Sequence, residues 1–578
     1  MVCMKEVDEA QIYETIDKNL FDFIVSGTAY RDEDPVFTYF GKNFSYAYFK
    51  HNVDRYARIL LADKTLKTGD RVVISLLTMP ESICLIYAVN YIGLVPVMVD
   101  IRLSPAEMKK IITETEAQYA FVTDVNAKGL SLISEAACLR KFFVVPMAQS
   151  LGRIGLFIRK FSSFFTGNPY MFTRHFLPKV FLWKDFEELP QIPFTDKILP
   201  ADGNSEMIFT TSGSTGDKKY VRHLARSLNL NVCINEFSFD FKDPAYAKMI
   251  AFMPLFVCFG FAGSVHLPFY YGMQVRIHMI YDLRKIPKVF MKVKPNYFVS
   301  SIGHWERIVS SKYIVNSDLS FLKFAMFSGE SCSPEKLNRI NDFLASRGAK
   351  TPLLQAYGMT ELTVVSIQKP GDPVNGNVGK PFPLMHISIV DPETGEVQKA
   401  GQTGEICVDS PCRTIGYFHD PEESAKLLQK HADGKIWVHT GDLGYLDKEG
   451  YLYFCGRIKS MLVSVSGTKV YLPAIETVLS NCRAVQRCAA VSVNEEGTGI
   501  IRSIFLFVEP KKGVSHTAAR KKVRQVIANE LPSYLIPDSI EILSEMPLLS
   551  SEKIDRQALK KKADALAHDM RIPLVTLK

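Results

Sequence analysis

Short apolar runs rich in Val, Ile and Phe alternate with helical patterns along the first half of this chain, and that alternation limits the fold more than any other feature. The runs "RVVISLL" (71–77), "LVPVMVD" (94–100), "YAFVTD" (119–124) and "MIAFMPLF" (249–256) read as strands covered on both faces. Between them, "SPAEMKKIITETEA" offers Ser104 as a cap and Pro105 as the first helical residue. Strands separated by helices pair mostly in parallel, so we expect α/β layers. A chain of 578 residues exceeds what one core organises, so more than one core is expected. Past residue 440 the texture changes to short strands and turns. "GYLDKEGYLYFCGRIKS" alternates around a turn at Lys448, Glu449 and Gly450, and "CAAVSVNEEG" and "RSIFLFVEP" precede a helix that Ser515 caps. These segments make a smaller α+β unit.

Two stretches raise the question of a membrane. Residues 82–99 carry no charge, but Gly93 and Pro96 interrupt them, and we read a buried helix followed by a buried strand. Residues 151–180 hold five Arg or Lys, six Phe and no acid. We read them as an insertion whose rings pack on the domain beneath, with peripheral contact to an anionic membrane as the alternative. A net charge of +8 favours anionic small ligands and falls short of a nucleic-acid-binding signature. Eleven scattered cysteines form neither a zinc pattern nor a disulfide framework, and the acidic, amphipathic N-terminus has no secretory h-region. A reducing cytoplasm is the expected location.

The stretch "FTTSGSTGDKKYV" (209–221) carries the chemistry. Thr211, Ser212, Gly213, Ser214, Thr215 and Gly216 can turn several amides and hydroxyls onto one anion, and Lys218 and Lys219 add positive charge behind them. Triphosphate binding follows as the expectation, on a loop between the strand-like "EMIF" and a helix-like segment beginning near Val221. The spacing of Gly213, Gly216 and the lysines does not match G-x-x-x-x-G-K-[ST].

T-S-G-S-T-G followed by Lys219 resembles the phosphate loop of the adenylate-forming superfamily, which includes acyl-CoA synthetases, nonribosomal peptide synthetase adenylation domains and luciferases. Further signatures follow in that family's order. "AYGMTE" resembles Y-G-x-T-E, which implies Tyr357 stacking on adenine beside Gly358, Thr360 on the α-phosphate and Glu361 on Mg2+. "SGESCSP" resembles the adenine loop, with Gly329, Glu330 and Ser331. "VHTGDLGYLDKEGYLYFCGR" resembles the ribose region, with Asp442 accepting from the ribose hydroxyls and Arg457 donating nearby. "MPLLSSEKIDRQAL" resembles the C-terminal signature and makes Lys553 the catalytic lysine, joined by Lys219, Thr360 and Glu361. The resemblance implies an N-terminal AMP-binding domain over 1–458 and a mobile C-terminal lid over 459–578, hinged at Lys459 and Ser460. Gly467 would let a pantetheine arm pass close to backbone.

The implied function is an ATP-dependent, AMP-forming carboxylate ligase that passes its acyl group to coenzyme A or to the phosphopantetheine of an acyl carrier protein acting in trans. Departures fall at Lys218 and Tyr220, where the family usually has Pro and Gly, at Ser460, in an extra residue within "VSVSGTK", and at Glu552, where Gly usually stands. They put the thioester step in more doubt than adenylation. Amino-acid-activating members place Asp near the position held here by Val257 or Cys258. With Phe256, Phe259 and Phe261 around it, and Ile302 and Gly303 counted in the same pocket, the site suits an acyl or aryl acid. An amino-acid adenylating enzyme, an adenylate-using enzyme that makes no thioester, a non-catalytic nucleotide-binding module and a membrane-docked scaffold are the rivals.

Overall fold

The computed structural model describes residues 9–27, 31–124, 129–147, 149–151, 179–192, 202–212, 218–238, 247–278, 283–458, 461–463, 469–480, 482–494, 501–531, 535–548 and 554–569. Within these, two large sheets carry most of the chain, and both are parallel in the middle. One runs Val180–Leu182, Lys141–Val145, Tyr119–Thr123, Arg71–Ser75, Val95–Met98 and Glu206–Ser212 in parallel, then turns antiparallel through Lys218–Leu224 to Gly416–Tyr417. The other places Leu353–Met359, Phe324–Phe327, Tyr297–Ser300, Lys248–Ala251, Gln274–Ile277 and Pro35–Tyr39 in parallel order, with antiparallel strands at both edges. Their strands are buried on both faces, which is why they read as continuous apolar runs.

Local rules explain the connecting helices. Ser104 Oγ accepts from Glu107 N–H while Glu107 Oε2 accepts from Ser104 N–H at 2.9 Å, a reciprocal cap that starts the helix Pro105–Glu114. Residues 82–99 divide into the buried helix Pro80–Tyr91 and the strand Val95–Met98. Among the described residues no helix is long and apolar enough to cross a membrane. Most of the basic aromatic segment, 152–178, lies outside the described residues.

Two sequence expectations need correction. The fourth strand ends at Ala251, so Met253–Phe256 are not part of it; Pro254 comes within this stretch, and the helix Cys258–Phe261 follows. The helix expected near Val221 starts at Ala225, because "KKYVRHL" pairs residue for residue with "EMIFTTS" as an antiparallel strand. The segment that follows Glu206–Ser212 in the described residues is therefore an antiparallel strand and not a helix.

A third, antiparallel sheet joins His386–Val390, Gly404–Asp409, Ile436–Leu446, Leu428–Lys430 and Leu452–Arg457. Its last hairpin turns through Asp447–Gly450, where Gly450 has φ +83° and donates to Asp447 O. C-terminal to it, Val485–Asn494, Ile501–Pro510 and Ser539–Ile542 form a separate sheet. The helices Pro473–Ser480 and His516–Glu530 pack on one side of that sheet, around Ile475, Leu506 and Val523. The observed class is thus a large α/β assembly followed by a small α+β one.

Three histidines are buried in the larger part. His266 bridges the Tyr87 hydroxyl (2.9 Å) and Asn229 Oδ1 (3.0 Å), His223 faces the Thr360 carbonyl, and His304 meets Ser300 Oγ. Burial pulls their pKa values down to about 3, 4 and 4 respectively, so all three fold as neutral rings. In the unfolded chain they take a proton near pH 6.5, so the unfolded state binds more protons as pH falls from about 6.5 towards 4. The sign is therefore loss of stability on acidification, roughly 3 kcal/mol per histidine over that window. Thermal melting at half-unit steps from pH 7.5 to 4.5 should show the midpoint falling below pH 6.5; a flat profile would mean the native rings are charged.

Candidate functional site

The site is built where the antiparallel end of one parallel sheet meets the C-terminal edge of the other. Strand Phe324–Phe327 pairs with Leu353–Met359, so the loop after Phe327 and the turn after Met359 emerge side by side, as ligand sites in α/β sheets commonly do. The first carries exposed Gly329 and Ser331 and half-buried Glu330, and Ser328 Oγ donates to Ala356 O at 3.1 Å, which ties it to the strand bearing Tyr357.

The second turn carries Thr360 and Glu361 and is tightly determined. A Cβ on Gly358 would lie 2.1 Å from Thr363 O, so the hairpin Leu353–Met359 to Thr363–Ile367 closes only with glycine there. Thr363 adopts φ +62°, a region that β-branched residues avoid, and Asn231 Nδ2 donates to its Oγ1 at 2.8 Å. His223 Nε2 lies 2.7 Å from the Thr360 carbonyl and must donate to it, since a carbonyl only accepts. Glu361 is held at both ends: its carbonyl accepts from Thr414 N–H at 2.7 Å, and its Oε1 accepts from the Tyr417 hydroxyl at 2.8 Å.

Lys219 completes this group. Its Nζ lies 2.7 Å from Glu423 Oε2 and 4.3 Å from the centroid of the Tyr417 ring. Lys219 and Lys426 together hold the Glu423 carboxyl down to about 2. Thr211 and Ser212 end the first strand of the hairpin opposite Lys219 and Lys218. Gly213, Ser214, Thr215 and Gly216 lie outside the described residues, as do Lys459, Ser460, Gly467 and Lys553.

A second group forms around Asp442, whose strand partner in register is Arg457. Tyr357 donates its hydroxyl to Asp442 Oδ2 at 2.8 Å. Oδ1 lies 2.9 Å from Arg457 Nε as an ion pair, yet it accepts no hydrogen bond although Asp442 is almost fully buried. Burial raises the pKa of Asp442, opposed by Arg457. The charge of Glu361 also raises it.

The residues expected to line an acyl pocket separate into two cores. Phe256, Cys258 and Phe261 belong to the cluster that contains Met326 and Ala356, and Phe261 is wholly buried with its ring stacked 5.5 Å from that of His266. Phe256 lies beneath the Arg102 guanidinium. Ile302 packs with Phe298 and Trp305 in a different cluster, and Gly303 follows it on the helix Ile302–Val309. Burial pushes the Cys258 thiol up to about 12, and the nearby charge that adds to this is Glu361.

Sequence reasoning did not single out Tyr417, Glu423, His223, Thr414 or Asn231. Tyr417 arrives through pairing with Val221, nearly two hundred residues away in sequence, and no local pattern announces such a contact. Its diagonal neighbour on that face is Lys219.

The donor set fits a magnesium nucleotide. Glu361 is a buried carboxylate that, among the described residues, meets a neutral hydroxyl and no cationic side chain, so a hard divalent ion has a ligand waiting. Asp442 Oδ1 is a buried acceptor open to a hydroxyl donor.

A family model described as AMP-binding enzyme matches residues 26–418, and one described as AMP-binding enzyme C-terminal domain matches 474–553. The chain belongs to the AMP-binding enzyme family, within the adenylate-forming superfamily. It is 24% identical to a long-chain-fatty-acid–CoA ligase of Bacillus subtilis over 94% of both chains. Among solved structures it resembles ATP-bound MatB from Rhodopseudomonas palustris with a TM-score of 0.77 at 19% identity, covering 95% of this chain and 99% of that one. It also resembles the amide bond synthetase McbA from Marinactinospora thermotolerans with a TM-score of 0.74 at 19% identity, covering 93% and 98%.

Asp442→Asn removes a charge-assisted acceptor and the ion pair to Arg457. Loss of one such hydrogen bond is worth about 1.5–3 kcal/mol, so nucleotide affinity measured by titration calorimetry should fall roughly ten- to a hundredfold. Unchanged affinity would remove Asp442 from the nucleotide site.

Proposed function

We propose that this chain is an AMP-forming acid–thiol ligase that adenylates an acyl or aryl carboxylate and passes it to a thiol, either coenzyme A or the phosphopantetheine of an acyl carrier protein. The observation that carries the reading is the buried carboxylate of Glu361, which accepts from Tyr417 and, among the described residues, meets no cationic side chain, on the turn that follows the strand bearing Tyr357 and its Asp442 partner. The activity for which the Bacillus subtilis relative is named supports coenzyme A as the thiol.

In the first step the substrate carboxylate attacks the α-phosphate of ATP and pyrophosphate leaves, so two anions must meet and repulsion makes up much of the barrier. Asp442 fixes the ribose, and Tyr357, whose hydroxyl it anchors, offers its ring to adenine beside the 329–331 loop. Thr360 is set towards the α-phosphate by the His223 contact to its carbonyl. Lys219 exchanges Glu423 for a phosphate oxygen, with the 211–216 amides beside it. Glu361 would hold magnesium, which when bound would supply positive charge to the phosphates. Lys553 bridges the substrate carboxylate and the α-phosphate. In the second step the C-terminal part, hinged at Lys459 and Ser460, replaces Lys553 with a face along which the thiol enters past Gly467.

The acyl or aryl assignment rests on the absence of a carboxylate at Val257 and Cys258. Among the described residues the anion that acts on Cys258 is Glu361, already bonded to Tyr417. An ammonium-bearing substrate therefore has no dedicated partner there.

Two measurements test this. Lys553→Ala should slow pyrophosphate exchange a hundredfold or more, about 3–4 kcal/mol, with folding unchanged by circular dichroism; near-normal exchange would unseat Lys553. In a screen of fatty, aryl and amino acids, AMP release should depend on a fatty or aryl acid and rise with coenzyme A. Release independent of any thiol would favour an amide- or lactone-forming role, and exchange with amino acids alone would sink the acyl reading.

A further inference from the structure

The antiparallel sheet beside the nucleotide site holds a second constellation that the adenylation chemistry does not use. Cys407 and His439 are direct partners across the strands Gly404–Asp409 and Ile436–Leu446, and an irregularity in the register between Glu405 and Cys407 brings Glu405 onto the same group. His439 Nδ1 lies 2.8 Å from Glu405 Oε2 and 3.5 Å from Cys407 Sγ, and one ligand atom from each of the three residues falls within 4.8 Å of the others.

We propose that Glu405, Cys407 and His439 form a binding site for a thiophilic divalent cation of the Zn2+ class, distinct from the hard-ion site at Glu361. Metal–ligand distances of about 2.3 Å to sulfur and 2.0–2.1 Å to nitrogen put tetrahedral S and N ligands about 3.5 Å apart. Sγ and Nδ1 stand at that separation, but Sγ is also 3.9 Å from Nε2 and so lies over the ring face, and the Cys407 side chain must swing towards the ring plane to share an ion with Nδ1. The carboxylate oxygen is closer than the roughly 3.4 Å that tetrahedral N and O ligands adopt, as a hydrogen bond requires, and needs to retreat by about half an ångström.

The surroundings also suit a metal. A ligating imidazole characteristically uses its other nitrogen in a hydrogen bond, and His439 Nε2 lies 2.9 Å from His431 Nε2, with His431 itself stacked on Trp437. Glu405 Oε1 is held by the Gly441 N–H at 2.9 Å, leaving Oε2 for the ion. Cys407 is fully buried, while the Glu405 and His439 side chains are 12% and 13% exposed and open the route in. A structural ion pair between His439 and Glu405 does not explain the second imidazole behind the first.

The proton count is definite. Without the ion, Nδ1–H of His439 donates to Glu405 and His431 donates to Nε2. With it, Nδ1 and the thiolate bind the metal, His439 takes its Nε2–H tautomer, and the His431 proton passes to that ring's own Nδ1 so that its Nε2 accepts. Each ring keeps one proton, and the proton released comes from Cys407. Because Gly441 and Asp442 lie on the same strand, occupancy would clamp the strand that presents the ribose acceptor.

The test is titration of metal-free, full-length protein with Co2+ under a non-thiol reductant. One equivalent should bind with a thiolate-to-cobalt charge-transfer band in the near ultraviolet, release about one proton and be displaced by Zn2+. Co2+ on the carboxylate of Glu361 produces no such band. Cys407→Ser should abolish the band, and His431→Phe should weaken binding roughly tenfold while keeping it. Absence of the band in the unaltered protein, or its survival in Cys407→Ser, overturns the proposal.

Discussion

Two buried carboxylates, Asp442 and Glu361, are the constraint around which this molecule is organised. Removing an ionised carboxylate from water costs several kcal/mol unless something pairs with it, and a second one nearby adds repulsion. Asp442 has Arg457 across the strand pair and the Tyr357 hydroxyl. Glu361 has only a tyrosine hydroxyl and no positive side chain among the described residues. The protein thus keeps one negative group under-compensated in its interior, and the sheet hairpins, the strained Thr363 and the Asn231 contact all hold that group in place. Such an arrangement has a use where cation-bearing anions are to be received, and costs stability otherwise.

The fold was legible wherever its cause was local. Ser104 and Pro105 mark a helix start by their own chemistry, and the 82–99 run divides at Gly93 into helix and strand as its composition implies. The hairpin 206–224 was misread at Val221 because alternation over seven residues, followed at once by a helix at Ala225, leaves no cap or turn to mark the boundary. At the site, Tyr357, Glu361 and Asp442 could be picked out only by resemblance, since each alone is an ordinary tyrosine or acid. Tyr417, Glu423 and His223 escaped even that. They act on the site through strand pairing across distant segments, and one sequence carries no record of which strand lies beside which.

The same reasoning separates the residues that touch a ligand from those that hold the frame. Gly358 was grouped with nucleotide-binding residues, and the structure supplies a nearer reason for it in the carbonyl of Thr363, which no side chain could clear. His223, neutral because it is buried, anchors the Thr360 carbonyl without adding charge beside the phosphates. Phe261, stacked against His266 in the core, supports the wall on which Phe256 and Cys258 sit.

The pairing of Lys219 with Glu423 alters how this protein meets an anion. A free lysine would gain the full attraction of an incoming phosphate, and added salt would erode that gain. In the proposed reaction the ammonium leaves one oxyanion for another, and the carboxylate it abandons still has Lys426 at 2.8 Å. Capture there is an ion exchange in which the number of contacts between opposite charges is nearly conserved. Ionic strength weakens both sides alike, so added salt erodes this contact less than it would that of a free lysine.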